Sequence, residues 1–135
     1  MQTLIVEDDF TSRKLIQELL KPYGEADIAV NGKEALEAFR ASHANGRRYD
    51  LICLDIMMPE MDGHETLREI RRIEADAGIE SGAGVKIMMT TALQASKNIM
   101  QAFTDRCEAY LVKPIHRDEL VRQLTMLGLI DGDDS

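Results

Sequence analysis

Five short runs of apolar residues recur along the chain, each followed by polar or turn-forming residues. They occupy residues 4–6, 26–30, 51–54, 85–89 and 109–112. Short apolar runs bounded by turn residues are typical of strands that are buried on both faces. The run at residues 51–54 is the clearest, because it leads directly into Asp55 and a loop that contains Pro59 and Gly63. The pattern therefore predicts five β-strands.

The stretches between these runs carry apolar residues at helical spacing. The first helix is predicted to begin near Phe10 and to stop before Pro22. The second follows Asn31, where Glu34 three residues later indicates a capping arrangement. The five helices are marked by Leu15, Ile16, Leu19 and Leu20; Ala35, Leu36 and Phe39; Leu67, Ile70 and Ile73; Ile99, Met100 and Phe103; and Leu120, Leu124 and Leu127. Residues 75–84, with three glycines, are predicted to form a loop. Strands that alternate with helices predict an α/β fold, a doubly wound parallel sheet with helices on both faces.

Length and charge narrow the class of protein. The chain has 135 residues and a net charge of −8, which predicts one domain at residues 1–127 and an acidic tail at 128–135. The negative charge argues against binding to nucleic acid or to anionic lipid, since both depend on Lys and Arg. The sequence shows neither a signal-peptide pattern nor an apolar run of membrane-spanning length, so a cytoplasmic protein is expected. Cys53 and Cys107 lack metal-binding spacing and are expected to be reduced, small hydrophobic residues.

Residues capable of chemistry follow four of the five predicted strands. They are Glu7 and Asp8 after the first strand, Asp55 after the third, Thr90 and Thr91 at the fourth, and Lys113 with Pro114 after the fifth. In a parallel sheet with right-handed crossovers, all of these strand ends lie at one edge. If the first and third strands are neighbours, their ends lie about 5 Å apart. We therefore expect three carboxylates to share one pocket.

Three carboxylates in one pocket repel each other unless one is protonated or a cation enters. Hard oxygen ligands around a small pocket suit Mg²⁺. A metal, a lysine and a hydroxyl group around a carboxylate also meet the needs of phosphoryl transfer, where positioning and charge neutralisation supply most of the catalysis. Asp55 could then accept a phosphoryl group as an aspartyl phosphate.

Each of these residues also has a purely structural explanation. Asp8 or Asp9 can cap the first helix, and capping is the preferred interpretation for Asp9. Lys113 can be a solvated loop residue, and Thr91 can cap the following helix. For any one of these residues taken alone, the structural explanation is favoured. The occurrence of all of them at four strand ends on one edge favours a shared site instead.

The ordered set of motifs resembles the receiver domains of two-component response regulators. The matching stretches are Val6-Glu7-Asp8, Leu54-Asp55-Ile-Met-Met-Pro59-Glu-Met-Asp62-Gly63, Thr91-Ala92 and Tyr110-Leu-Val-Lys113-Pro114. They cover residues 4 to about 127, and as an ordered set they are highly specific. The resemblance implies a flavodoxin-like fold with strand order 2-1-3-4-5, the order that doubly wound proteins of this family have.

The resemblance also implies a role for each matching residue. Asp55 would accept a phosphoryl group from a sensor histidine kinase or a phosphotransfer protein. Asp8, Asp55 and the backbone carbonyl of Met57 would bind Mg²⁺ directly, and Glu7 would act through water. Lys113 and Thr91 would contact the phosphoryl oxygens, and Tyr110 would follow Thr91 to a buried rotamer.

The same resemblance implies how the signal would leave the domain. The face formed by the fourth predicted helix, the fifth strand and the fifth helix would change and be read by a protein partner that the sequence does not name. A cis peptide bond is implied at Lys113-Pro114. The protein is expected to be a stand-alone switch rather than a turnover enzyme, and either a monomer or a phosphorylation-dependent dimer.

Three other functions fit the sequence less well. A haloacid-dehalogenase-type phosphatase also uses Asp, Lys, Thr and Mg²⁺, but it needs a second Asp two residues after the nucleophile, where this chain has Met57. A nucleotide or flavin module is disfavoured by the lack of a phosphate-binding loop and by the acids after the first strand. A receiver-like scaffold that never carries phosphate is disfavoured by the intact acidic cluster, Thr91 and Lys113.

Overall fold

A computed structural model describes residues 1–58, 61–92 and 107–131. Within them, five parallel strands form one sheet in the order β2-β1-β3-β4-β5. The strands are β1 (Gln2–Val6), β2 (Glu25–Ala29), β3 (Leu51–Asp55), β4 (Lys86–Thr91) and β5 (Ala109–Val112). Both the predicted fold class and the predicted strand order are confirmed.

Four α-helices flank the sheet within the described residues. They are α1 (Phe10–Leu20), α2 (Gly32–Ala44), α3 (Gly63–Asp76) and α4 (Arg117–Met126); a 3₁₀ turn, Lys21–Tyr23, follows α1. The helix predicted around Ile99 falls in residues 93–106, outside the described residues. Asn31 caps α2 by accepting from the amide of Glu34 at 2.9 Å, and the Glu34 carboxylate accepts from the amide of Val30 at 2.9 Å. The predicted capping arrangement is thus confirmed.

Helices cover the sheet on both faces. Alternate residues of the central strands point to opposite faces and therefore enter two separate clusters. One cluster of buried side chains contains Leu4, Ile52 and Leu54 with Phe39 of α2 and Leu67 of α3. The other contains residues of the opposite parity, Ile5, Leu51, Cys53 and Met88, with side chains of α1 and α4. Cys53 and Cys107 are free, and Cys53 is buried as expected.

The loop predicted at residues 75–84 begins later than expected, because α3 continues through Asp76. Glu74 stabilises this last turn: its buried carboxylate accepts from the backbone amide of Val85 at 2.7 Å and pairs with Arg71 at 2.8 Å. The helix ends only where Gly78 adopts a φ of +82°.

An ionic network joins α3 to the amino ends of β4 and β5. The guanidinium of Arg71 contacts Glu74, the carbonyl oxygen of Val85 at 2.9 Å and both carboxylate oxygens of Glu108 at 3.0 and 3.1 Å. Glu108 also accepts from the amide of Ile87 at 2.6 Å. These contacts hold the edge of the sheet opposite to the predicted site.

The first outer strand, β2, carries exposed acids. Glu25, Asp27 and Ile28 are exposed along it, and the hydroxyl of Tyr49 donates to the Asp27 carboxylate at 2.7 Å. Among the helices of the described residues, none is long and apolar enough to cross a membrane.

Candidate phosphoacceptor and metal site

The acidic cluster predicted from the sequence is present at the carboxyl edge of the sheet. Glu7 follows β1, and Asp55 is the last residue of β3, the strand next to β1. One carboxylate oxygen of each of Glu7, Asp8 and Asp55 lies within 4.8 Å of the others. The topology thus brings together three acids that are up to 48 residues apart in sequence.

Two of these acids are withdrawn from solvent. Glu7 is 1% exposed and Asp55 is 3% exposed, whereas Asp8 is exposed. Burial, together with the neighbouring Glu7 carboxyl group, raises the pKa of Asp55 to about 7, although Lys113 and the amide of Met57 oppose the shift. An apolar setting and a like charge both favour the neutral acid. In the absence of a further cation, the site therefore resists full ionisation.

Lys113 supplies the positive charge of the described site. Its Nζ lies 2.6 Å from Oε1 of Glu7 and 3.6 Å from Oδ1 of Asp55. Burial lowers the pKa of Lys113, but the Glu7 and Asp55 carboxylates more than compensate, so the net shift is upward and the side chain stays protonated. The prediction that Lys113 joins the acids is confirmed.

The loop between β1 and α1 is fixed by its own side chains. The Glu7 carboxylate accepts from the amide of Asp9 at 3.2 Å, and Asp9 caps α1 by accepting from the amide of Ser12 at 2.8 Å. This hydrogen bond lowers the pKa of Asp9. Asp9 is therefore a helix cap, as preferred from the sequence, and not a member of the acidic cluster.

Sequence reasoning missed Arg13, which binds the same loop. Its guanidinium donates to the carbonyl oxygen of Glu7 at 3.1 Å and lies 3.5 Å from that of Asp8. A signal existed, since Arg13 lies in the first turn of the helix that follows the acids. Its direction toward the loop, however, depends on the fold.

The backbone of Asp55 and Ile56 is packed tightly against the start of α3. Oδ1 of Asp55 accepts from the amide of Met57 at 3.2 Å, and the amide of Gly63 donates to the carbonyl oxygen of Ile56 at 2.9 Å. A Cβ atom on Gly63 would lie 2.7 Å from the carbonyl oxygen of Asp55. Only glycine permits this approach. Met57 itself is 60% exposed, and the role of its carbonyl group stays a prediction.

Within the described residues, the remaining predicted residues, Thr91 and Tyr110, make no hydrogen bond to the acids. Thr91 is buried at the end of β4, and its hydroxyl donates to the carbonyl oxygen of Ala92 at 3.3 Å. Tyr110 is 43% exposed on β5. The roles of Thr91 and Tyr110 stay predictions, whereas the expected cis peptide bond at Lys113-Pro114 is present.

Thr90, which the sequence groups with Thr91 at the end of the fourth strand, lies beside Asp55 in the sheet. The two residues are paired in the register of β3 and β4. The Thr90 hydroxyl is buried without a hydrogen-bond partner among the described residues, and so is Oε1 of Glu7 apart from its ion pair with Lys113. A buried polar atom without a partner is costly, so the Thr90 hydroxyl has unused capacity for water or a ligand, whereas Oε1 of Glu7 is already paired with Lys113 at 2.6 Å.

The cluster fits a hard divalent cation. It offers carboxylate oxygens from Glu7, Asp8 and Asp55, the ligand type that Mg²⁺ prefers. Three carboxylates face one ammonium group, so full ionisation leaves the site with an excess of negative charge. A divalent cation would balance that excess, and the exposed Asp8 lies on the solvent side from which it could enter.

Comparison with protein families decides the identity. The family model described as response regulator receiver domain matches residues 3–125. The chain belongs to this family. The resemblance inferred from the motifs is therefore confirmed over nearly the whole sequence. Receiver domains are signalling switches of two-component systems, and Mg²⁺ and aspartate phosphorylation are general features of the family.

Several curated proteins contain a segment similar to this receiver domain. A probable transcriptional regulator, ycf29 of Porphyra purpurea, is 39% identical over 98% of the chain, which covers 58% of that protein. Transcriptional regulatory protein ZraR of Klebsiella oxytoca is 33% identical over 91% of the chain and 25% of its own length. Hybrid signal transduction histidine kinase B of Dictyostelium discoideum is 35% identical over 90% of the chain and 6% of its own length. The chain thus spans between 6% and 58% of these relatives.

Solved receiver structures share the fold. The receiver domain of the sensor histidine kinase PA1611 of Pseudomonas aeruginosa PAO1, with a magnesium ion in its active-site cleft, has a TM-score of 0.70 at 30% identity, covering 93% of this chain and 94% of that one. The receiver domain of the histidine kinase CKI1 of Arabidopsis thaliana, complexed with Mg²⁺ and BeF₃⁻, has a TM-score of 0.73 at 26% identity, covering 95% and 88%.

Proposed function

We propose that this receiver domain accepts a phosphoryl group on Asp55 from a phosphohistidine of a sensor histidine kinase or a phosphotransfer protein. One observation carries the proposal: Asp55 is a buried carboxylate at a strand end, with Lys113 Nζ 3.6 Å from it and two further acids beside it. A structural Asp that only closes a turn has no need of a buried lysine and two neighbouring carboxylates.

The transfer step is a displacement at phosphorus. A carboxylate oxygen of Asp55 forms a bond to phosphorus, and the bond between phosphorus and the donor imidazole nitrogen breaks. The electron pair of that bond stays on the imidazole nitrogen, which takes up a proton from solvent. Lys113 neutralises charge on the phosphoryl oxygens, and the Thr91 hydroxyl hydrogen-bonds to them.

The residues assigned to Mg²⁺ are Asp8, Asp55 and the backbone carbonyl of Met57, with Glu7 acting through water. Bound there, the cation neutralises the acids and the transferring phosphoryl oxygens. The Glu7 pairing with Lys113 keeps the ammonium group beside Asp55. The exposed position of Asp8 keeps one carboxylate in reach of solvent.

Phosphorylation adds charge and strong hydrogen-bond acceptors at the carboxyl edge of β3 and β4. Thr91 would turn toward the phosphoryl group, and Tyr110 would move from its exposed position into the space next to it. That change would reshape the face formed by the helix predicted around Ile99, β5 and α4. A protein partner would read the state of the switch from this face.

Incubation with Mg²⁺ and phosphoramidate, followed by intact-protein mass spectrometry, tests the proposal. The wild-type protein is expected to gain the mass of one phosphoryl group, and chelation of Mg²⁺ should prevent the gain. Asp55→Asn should abolish it because the nucleophilic oxygen pair is lost. Asp9→Asn is the matched control, since Asn also caps helices and Asp9 lies next to the cluster without belonging to it.

Two results would contradict the proposal. Phosphorylation of Asp55→Asn to the wild-type extent would place the acceptor elsewhere. A wild-type protein that binds Mg²⁺ but gains no mass with any small phosphodonor would instead favour the phosphate-independent scaffold.

A further inference from the structure

We infer that Arg13 is a positioning residue for the acidic loop, and that it strengthens magnesium binding at Asp8 although its own charge repels a cation. The inference rests on the proposed function, because it concerns the metal site named there. Arg13 would act through the backbone of Glu7 and Asp8 and would touch neither the metal nor the phosphoryl group.

The hydrogen bonds of Arg13 carry the argument. Nη1 donates to the carbonyl oxygen of Glu7 at 3.1 Å and lies 3.5 Å from the carbonyl oxygen of Asp8. Both carbonyl groups belong to residues whose carboxylates form the cluster. Both contacts come from Nη1, so a single nitrogen of the planar guanidinium links the two carbonyl groups.

The other contacts within this loop restrain Glu7 and Asp9, whereas Arg13 restrains Asp8. Glu7 is held by Lys113 and by the amide of Asp9, and Asp9 is held by its capping bond to Ser12. Among the described residues, Asp8 makes one hydrogen bond, in which its carbonyl oxygen accepts from Arg13. Arg13 therefore bridges the exposed metal-binding acid to the first turn of α1.

Phe10 keeps the guanidinium in place from the solvent side. The Cζ atom of Arg13 lies 5.5 Å from the centre of the Phe10 ring, a cation–π contact between residues one helical turn apart. Phe10 is 68% exposed, so it contributes little to the core. Its ring covers the guanidinium and limits the directions in which the long side chain can swing.

Charge and position predict opposite results when Arg13 is neutralised. Loss of a nearby positive charge alone would make magnesium binding slightly tighter. Loss of a group that orients a metal ligand typically weakens binding by about 10- to 100-fold. The sign of the change therefore distinguishes a positioning residue from an ordinary surface charge.

Isothermal titration of the metal-free protein with Mg²⁺ tests the inference. Arg13→Gln is expected to raise the dissociation constant by about tenfold, and Arg13→Lys, which keeps the charge and one donor, should lie between it and the wild type. Lys14→Gln is the matched control. It removes the same charge from the next residue of α1, where the side chain is exposed and pairs only with Glu18 at 3.7 Å among the described ion pairs. Its dissociation constant should be unchanged or lower.

Amide hydrogen exchange of the metal-free proteins gives a second readout. The amide of Asp9 donates to Glu7, and it should exchange faster in Arg13→Gln than in the wild type or in Lys14→Gln. A merely structural contact elsewhere on α1 would not change this amide selectively. Circular dichroism confirms that the variants are folded.

The outcomes separate the two proposals. If the wild type binds Mg²⁺ and Arg13→Gln binds it equally well or more tightly, the inference is refuted and the proposed function stands. If Arg13→Lys binds as weakly as Arg13→Gln with wild-type exchange at Asp9, the inference is also refuted. A wild type that binds no Mg²⁺ refutes the metal site, and the inference with it.

Discussion

At the scale of single residues, Asp55 shows how burial and a neighbouring acid control the ionisation of the site. Its carboxyl group is buried beside Glu7, and both features raise its pKa. The folded state therefore holds a proton on Asp55 more readily than the unfolded chain does. The stability that comes from this group is present at acidic pH and is lost as the pH rises from about 4 to about 7.

Removal of the Asp55 charge should stabilise the metal-free protein at neutral and alkaline pH. Asp55→Asn is expected to increase the free energy of unfolding by at least about 1 kcal/mol at pH 8. The raised pKa of Asp55 would alone give a larger gain, but the loss of the Lys113 pairing opposes it. At pH 4 the difference should nearly vanish. Urea denaturation in the presence of a chelator at both pH values measures it.

The comparison with Asp62→Asn controls for the change of residue type. Asp62 caps α3 by accepting from the amide of Glu65 at 3.0 Å, and Asn keeps that cap, so no gain is expected. Equal stability of Asp55→Asn and wild type at pH 8 would contradict the interpretation that the ionised Asp55 carboxylate destabilises the metal-free protein.

The sequence identified the acids, Lys113 and the Asp9 cap, since each stands at a predicted strand or helix end. It did not identify Arg13, and it placed Thr90 at a strand end without showing that its hydroxyl is buried beside Asp55, because both positions depend on the fold. Arg13 acts by reaching back over one turn of α1. Thr90 is next to Asp55 only through the register of β3 and β4.

At the scale of the elements, the start of α3 determines where Asp55 lies. Gly63 opens the helix directly behind the carbonyl group of Asp55, with Asp62 as its cap. A helix that begins this close to the end of β3 leaves no room for a side chain. The start of α3 is thus packed directly against the backbone of Asp55 and Ile56.

Gly63→Ala should disturb the site as well as the fold. The added Cβ would lie 2.7 Å from the Asp55 carbonyl oxygen and 2.8 Å from Cα of Ile56, so the backbone must shift. Overpacking of this kind costs about 1–3 kcal/mol. The rate of Asp55 phosphorylation by phosphoramidate should fall because the carboxylate moves with its backbone.

Gly46→Ala is the control for this prediction. Gly46 has a φ of +75° but nothing within 4 Å of an added Cβ, so alanine should cost stability without altering phosphorylation. If both variants are phosphorylated at the wild-type rate, the proposed link between α3 and Asp55 is wrong.

The pattern of apolar residues predicted the elements well because buried strands and amphipathic helices have distinct periodicities. It failed at the end of α3. There the helix continues past the predicted start of the loop at Ala75 to Asp76. The preceding residue, Glu74, has the polarity of a surface residue but is buried against Arg71 and Val85. Such contacts form between distant segments, so periodicity does not report them.

At the scale of the whole molecule, the two edges of the sheet have different tasks. The carboxyl edge holds the acids and Lys113, whereas the amino edge is tied by Arg71, Glu74 and Glu108. The residues of the carboxyl edge were predictable because the family motifs fall at the ends of the strands. The amino edge involves Arg71 and Glu108, 37 residues apart, and nothing in the sequence pairs them.

Glu108→Gln should destabilise the fold without affecting phosphorylation. Glu108 pairs with Arg71 and accepts from the amide of Ile87 at 2.6 Å; glutamine keeps an acceptor oxygen but loses the charge. Weakening a partly buried charge-assisted contact is expected to cost about 1–2 kcal/mol. Thermal unfolding and the phosphoramidate reaction measure the two effects separately.

Glu69→Gln provides the comparison on the same helix. Glu69 pairs with Arg72 at 3.3 Å, and the Arg72 side chain is 72% exposed, so the loss should stay within about 0.5 kcal/mol. A Glu108→Gln variant as stable as Glu69→Gln would show that the amino edge does not depend on the network.

The acidic outer strand β2 affects how copies of the protein meet at high concentration. Within the described part of the chain, β2 pairs with β1 on one side only, and the backbone groups of its other side could extend a neighbouring sheet, which is a common route to aggregation. The exposed residues Glu25 and Asp27 lie on this outer strand. Two copies that met through this strand would bring like charges together. Crowded molecules should therefore repel each other along this side and stay dispersed.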